Sequence, residues 1–168
     1  MAIIGIDLGT TNSLLCLFKD GRPTLVPNTQ GSFLTPSAVA VDAGGDIIVG
    51  AAAREIAVSR PDEAVFSFKR WMGTNRVVSL GKRQFRAEEL SSFVLRALLD
   101  DLRRVTEEPI DEVIISCPAY FNDSQRKATI NAAKLAGLTV QRLVNEPTSA
   151  VLAYGLGTKD DGQFLVFD

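Results

Sequence analysis

Apolar residues recur at alternate positions, or almost without a break, in short runs at residues 2–8, 13–19 and 22–26. Such runs predict β-strands. Between the last two, Lys19-Asp20-Gly21-Arg22 predicts a tight hairpin, because Asp-Gly tolerates the positive φ angles of a two-residue turn. A glycine-dotted stretch follows, with strand candidates near 37–41 and 46–50. A short helix is expected over 51–58, interrupted by Arg60-Pro61-Asp62, and small strands near 76–80 and 83–86 flank a Leu80-Gly81 turn. The period then changes. From Ala87 to about Glu107, Leu90, Phe93, Val94, Ala97, Leu98, Leu102 and Val105 keep helical spacing. Glu88 and Glu89 suit the positive end of that helix, and Pro109 stops it.

The second half is more regular. Residues 112–117 form a β-branched run ended by Pro118. Asp123 can cap a helix that ends at Gly137, with Ala128, Ala132, Leu135 and Ala136 on its buried face. A strand over 138–144 follows, then a short helix over 148–154 bracketed by Pro147 and Gly155. A Lys159-Asp160-Asp161-Gly162 turn leads to a last apolar strand, Phe164 to Phe167. Strands alternating with helices predict the α/β class, with a partly parallel sheet covered by helices.

Composition narrows the chemistry. The chain has 168 residues, 46% of them hydrophobic, enough for one domain or one large lobe with a smaller attachment. A net charge of -2 and a pI of 5.2 argue against nucleic acid as the main partner. The stretch from Arg54 to Arg86 is locally basic and reads as solvated surface. No signal peptide and no run of membrane-spanning length is seen, so no membrane partner is expected. Cys16 and Cys117 each fall inside an apolar strand, where cysteines are usually inert. Histidine is absent, which removes histidine-based nucleophilic catalysis and the commonest zinc ligand. Carboxylates, lysine, backbone amides and a bound metal remain.

One segment concentrates those groups. The first strand carries Asp7 into the turn Gly9-Thr10-Thr11-Asn12. A glycine there lets the chain bend sharply and lets a phosphate approach the following amides. Asp7 stands where Mg²⁺ could bind, directly or through its waters. The same turn could equally be a hairpin with no ligand. The last strand ends in Asp168, a second strand–aspartate unit whose continuation is not in the sequence.

Four ordered blocks carry a resemblance that covers the whole chain. They are Gly5-Ile6-Asp7-Leu8-Gly9-Thr10-Thr11-Asn12-Ser13, then Phe68-Lys69-Arg70, then Pro118-Ala119-Tyr120-Phe121-Asn122-Asp123 with Gln125-Arg126. The fourth is Asn145-Glu146-Pro147-Thr148 with Ala153-Tyr154-Gly155. The sequence resembles the seventy-kilodalton heat-shock chaperones, the DnaK-like family. Asn12-Ser13-Leu14, Leu34-Thr35-Pro36 and Glu89-Leu90-Ser91-Ser92 resemble its HscC-like branch.

The resemblance implies an actin-like ATPase fold with ATP or ADP and Mg²⁺ in a cleft between two lobes. This chain would be the first lobe, with a ribonuclease-H-like core over 1–34 and 108–160. A small α+β subdomain would be inserted over 35–107, and 161–168 would open the second lobe. The second glycine-rich phosphate turn, the adenosine pocket and the peptide-binding domain are expected to be missing. The parent would be a cytoplasmic Mg-dependent ATP hydrolase, and the fragment inactive.

Roles follow by resemblance. Gly9, Thr10, Thr11 and Asn12 would hold the terminal phosphates, and Asp7, Glu146 and Asp168 would hold Mg²⁺ through water. Lys69 would point at the γ-phosphate and the attacking water. On spacing alone Lys69 reads as a surface lysine and Glu146 as a helix cap. Pro118 and Arg126 resemble an interdomain relay, while Arg142 and Asp123 resemble the surface that meets the linker and a J-domain co-chaperone. Without the resemblance, Pro118 is a strand terminator and the arginines are exposed. Unfolded peptide clients and a nucleotide-exchange factor are the other implied partners. The alternative is a phosphotransferase or filament protein of the actin-like superfamily, which shares the strand–aspartate clamp.

Overall fold

The computed structural model describes residues 3–155 and 165–166. The main sheet is built from β1 (Ile3–Leu8), β2 (Asn12–Lys19), β3 (Arg22–Leu25), β10 (Glu112–Cys117) and β11 (Thr139–Asn145). Their order is β11-β10-β1-β2-β3, and β4 (Thr35–Pro36) also pairs with β2. The β1–β2–β3 part is antiparallel, whereas β1, β10 and β11 run parallel. Asp20 and Gly21 both take positive φ, 51° and 76°, so the Asp-Gly hairpin forms as its sequence predicts.

Strict alternation along β1, β2 and β10 sends every second side chain to one face. Ile4, Ile6, Leu15, Val113 and Ile115 are buried there, packed with α2 (Ala87–Leu102) and α3 (Asp123–Leu135). Burial of each such side chain contributes about 1.5–3 kcal/mol. Asp7 and Ser116 occupy the intervening positions and so project from the opposite face.

Residues between β4 and α2 build a second unit. β5 (Ala38–Val41) runs between β6 (Ile47–Val49) and β7 (Ala64–Phe66), with α1 (Ala51–Ser59) packed against it. All four β5 residues are buried because both faces are covered. Ala38 and Ala40 meet Ala53 on the side of α1, where small residues permit close approach, and Val39 and Val41 face the main core. β8 (Val77–Leu80) and β9 (Arg83–Arg86) form a separate hairpin, its turn held by Gly81 at φ 56°. Two 3-10 turns, Pro61–Glu63 and Phe68–Trp71, and β7 went unforeseen in the sequence.

Two helix ends differ from expectation. α2 stops at Leu102, not near Glu107: the amides of Arg104 and Val105 bond back only three residues, tightening the chain into turns before Pro109. α3 is capped by Asn122 and not by Asp123. The Asn122 side chain accepts from the Gln125 amide at 3.0 Å, and Gln125 returns a bond to the Asn122 amide. Gly137, at φ 85°, closes the other end. Its amide bonds to Lys134 O and that of Leu138 to Ala133 O, the paired bonds of a left-handed C-terminal cap.

α4 (Glu146–Gly155) follows β11 directly. The turn expected at 159–162 and Asp168, expected as a metal residue, lie outside the described residues. Leu165 and Val166, the two described residues of the expected last strand, belong to no strand. Among the described residues, no helix is long and apolar enough to cross a membrane.

Candidate phosphate and metal site

The phosphate-turn candidate lies where β1 hands over to β2. Gly9 is required by close approach: a Cβ there would lie 2.0 Å from the Asn12 carbonyl oxygen. Thr10 is half-buried and Thr11 exposed, while Asn12 begins β2. Two residues earlier, Asp7 is half-buried and accepts a hydrogen bond from Ser116 Oγ at 2.8 Å. Parallel pairing of β1 with β10 sets Ser116 directly beside Asp7, on the same face. Sequence reading missed Ser116, because its proximity depends on a pairing between strands more than a hundred positions apart.

Lys69 comes to this region from the second unit, in the turn Phe68–Trp71. Ser67 takes a left-handed φ of 57°, and the 3-10 turn that follows tucks Phe68 and Lys69 inward. Lys69 Nζ reaches Glu146 Oε1 at 2.7 Å, with side-chain exposures of 8% and 21%. The surface reading of Lys69 is therefore overturned. Its ammonium also lies 5.7 Å from the centre of the Phe121 ring. Thr10, Lys69, Arg70, Tyr120, Phe121 and Gln125 line one small cavity of about 130 Å³. Gly73, at φ 72°, holds this turn against the start of α3, where a Cβ would meet the Gln125 amide nitrogen at 2.8 Å.

Glu146 is the first residue of α4, at the end of β11. Its neighbour Asn145 is fixed by Arg126 from α3, whose guanidinium donates to Asn145 Oδ1 at 2.8 Å. The same side chain donates to Phe121 O at 3.1 Å and touches Cys117 Sγ at 3.1 Å. Arg126 is thus tied to both strand ends, where the bare sequence suggested an exposed arginine. Pro118 is buried just past β10, whereas Asp123 and Arg142 are exposed on α3 and β11. Burial pushes the Cys117 thiol above its ordinary range, with Arg126 opposing. Both cysteines are free, Cys117 buried and Cys16 half-buried.

The structure therefore brings Thr10, Lys69 and Glu146 to one place and supports Asp7 through Ser116. Among the described residues, no cluster of three or more acidic, cysteine or histidine side chains could hold a metal outright. A carboxylate such as that of Asp7 is the ligand type a hard, strongly hydrated cation takes, one or two of them sufficing when the ion keeps its waters.

Residues 3–78 and 74–168 match the family model described as Hsp70 protein. The chain belongs to the Hsp70 family. Hsp70 proteins are ATPases and chaperones, and the mixed α/β architecture fits their ATPase domain.

Proposed function

We propose that this chain is the first lobe of the nucleotide-binding domain of an Hsp70 ATPase, which drives binding and release of unfolded peptides. The observation that carries the reading is Lys69: a buried ammonium beside Thr10 of a glycine turn, braced by Glu146. A lysine hidden to that degree is costly unless paired, and it stands where a terminal phosphate would meet the turn. The main sheet, in which β1, β2 and β3 are antiparallel neighbours and β10 and β11 run parallel to β1, supports a ribonuclease-H-like core over 1–34 and 108–160. The segment over 35–107 is the inserted subdomain, and 161–168 leads into a second lobe. Asn12-Ser13-Leu14, Leu34-Thr35-Pro36 and Glu89-Leu90-Ser91-Ser92 favour the HscC-like branch.

Asp7 and Glu146 would hold Mg²⁺ through water, together with Asp168, and the ion supplies positive charge that offsets the phosphate oxygens. The protein's own residues do the remaining work. Gly9, Thr10, Thr11 and Asn12 offer backbone amides to the terminal phosphates. Lys69 carries three donors, so it can keep Glu146 and still reach a phosphate oxygen and a water. Its charge acts in a place poor in solvent, where electrostatic stabilisation of transferring phosphoryl groups is strongest. Arg126 and Pro118 form the path from this site toward a peptide-binding domain, and Asp123 and Arg142 the surface for a J-domain co-chaperone. A nucleotide-exchange factor is a further partner.

The test is Lys69→Ala in the complete two-lobed protein. ATP binding should stay largely intact while turnover falls about a hundred- to thousandfold, the usual cost of one electrostatic donor. Weak ATP binding with normal turnover at saturation would show that Lys69 only binds.

A further inference from the structure

The phosphate turn is held from behind by a residue outside its motif. Ser37, between β4 and β5, donates its hydroxyl to Gly9 O at 2.8 Å and its amide to Thr11 O at 2.9 Å. Ser13 Oγ lies 2.9 Å from Ser37 Oγ. Because the Ser37 proton goes to Gly9, Ser13 must be the donor in that pair. The result is a one-way chain, Ser13 to Ser37 to Gly9. Both serines are buried, at 1% and 3% exposure, so water does not compete for these bonds.

The direction of those bonds matters. Across a trans peptide, the carbonyl and the next N–H point in opposite directions, and no cis peptide occurs among the described residues. Drawing the Gly9 and Thr11 carbonyls to Ser37 therefore turns the amides of Thr10 and Asn12 away from it. Thr10 is the turn residue that lines the cavity shared with Lys69. The turn has little stiffness of its own at this point, since Gly9 must be glycine and glycine is the most permissive residue. Its orientation is imported from Ser37.

We propose that Ser37 is a positioning residue for phosphate binding, through which the inserted segment sets the direction of the Thr10 and Asn12 amides. The proposal rests on reading the Gly9–Asn12 turn as a phosphate site. It makes the base of the inserted segment part of the site's geometry: displacing β4 and β5 relative to β1 would misalign the amides without touching a ligand.

Titration of the ¹⁵N-labelled 168-residue chain with magnesium tripolyphosphate tests this, with amide shifts of Thr10 and Asn12 as the readout. In the unaltered chain both amides should move in a saturable way. Ser37→Ala should weaken the apparent affinity roughly three- to tenfold, the worth of one net hydrogen bond, and shift both amides before any ligand is added. Ser37→Thr, which restores the hydroxyl, should recover most of that loss. Ser13→Ala removes a buried bond in the same chain but leaves the bond to Gly9, so it should stay within about twofold on the same scale.

Equal effects of Ser37→Ala and Ser13→Ala would overturn the proposal, because burial and packing would then explain both. So would unchanged affinity in Ser37→Ala. Should that variant not fold, Ser37→Cys, similar in size with only a weak donor, takes its place in the comparison. If the Thr10 and Asn12 amides of the unaltered chain do not move at all as magnesium tripolyphosphate is added, the phosphate reading itself fails and takes the proposal with it. That outcome appears before any substitution is made, so the two failures are distinguishable.

Discussion

Asp7 is held by one neighbour whose role can be isolated. Ser116 Oγ occupies one carboxylate oxygen at 2.8 Å, which fixes the rotamer and orients the other oxygen. Ser116→Ala should therefore weaken Mg²⁺ binding to the complete protein roughly three- to tenfold, about the value of a single hydrogen bond, with little change in unfolding midpoint. Calorimetric titration with Mg²⁺ checks it; unchanged affinity would mean that Asp7 is oriented by the strand alone. Asp7 and its turn were legible in the sequence because an apolar strand, an aspartate and a glycine stand within a few residues of one another. Ser116 and Ser37 were not, since each acts only after non-local pairing brings it alongside. Lys69 was legible only through family resemblance. Its burial follows from the left-handed Ser67 and the 3-10 turn after it, neither of which leaves a periodic trace.

At the scale of elements, the two helix ends that departed from expectation give opposed predictions. Asn122→Ala should destabilise the chain by about 1 kcal/mol, whereas Asp123→Ala should cost much less, because only Asn122 accepts the Gln125 amide. Urea unfolding of both variants decides between the two caps. Reading the sequence favoured Asp123 because both residue types cap well, and only backbone geometry separates adjacent candidates. At the end of α2, Asp101 is buried and paired with Arg104 at 2.8 Å. Burial nevertheless raises its carboxyl above the usual value of 3.8, with Arg104 and the Thr29 amide opposing. A raised folded-state pKa contributes stability that is full below the unfolded value and lost as pH rises through the folded one. Asp101→Asn should accordingly raise the urea midpoint at pH 7 and leave it nearly unchanged at pH 3. A drop at pH 7 would show that the Arg104 pair outweighs desolvation. Strands with strict alternation, and helices with clear glycine or proline boundaries, were readable locally. β7 was not, because three residues between two turns are too short to show a period.

On the scale of the whole molecule, the groups around the site are unequally provided for. Tyr120 and Tyr154 are 80% and 77% exposed, and Leu152 on α4 is 54% exposed, although the helix to which Leu152 and Tyr154 belong is mostly apolar. On the proposed reading the glycine turn and Lys69 meet phosphates, but the cavity that Thr10 and Lys69 share has only about 130 Å³, too little to enclose a nucleotide. Association costs an estimated 4–15 kcal/mol in translational and rotational freedom, which a partial set of phosphate contacts only just offsets. Mg-ATP should therefore bind the 168-residue chain with a dissociation constant weaker than about 1 mM, equivalent to less than about 4.1 kcal/mol, and hydrolysis should match the background rate. Tripolyphosphate should bind almost as well as ATP, because the shared cavity is large enough for phosphates and too small for the nucleoside as well. Parallel titrations of the monomer with the two magnesium salts make the comparison. Micromolar affinity for ATP alone would sink the prediction, since it would require an adenosine site that this lobe supplies by itself or builds by pairing with a second copy.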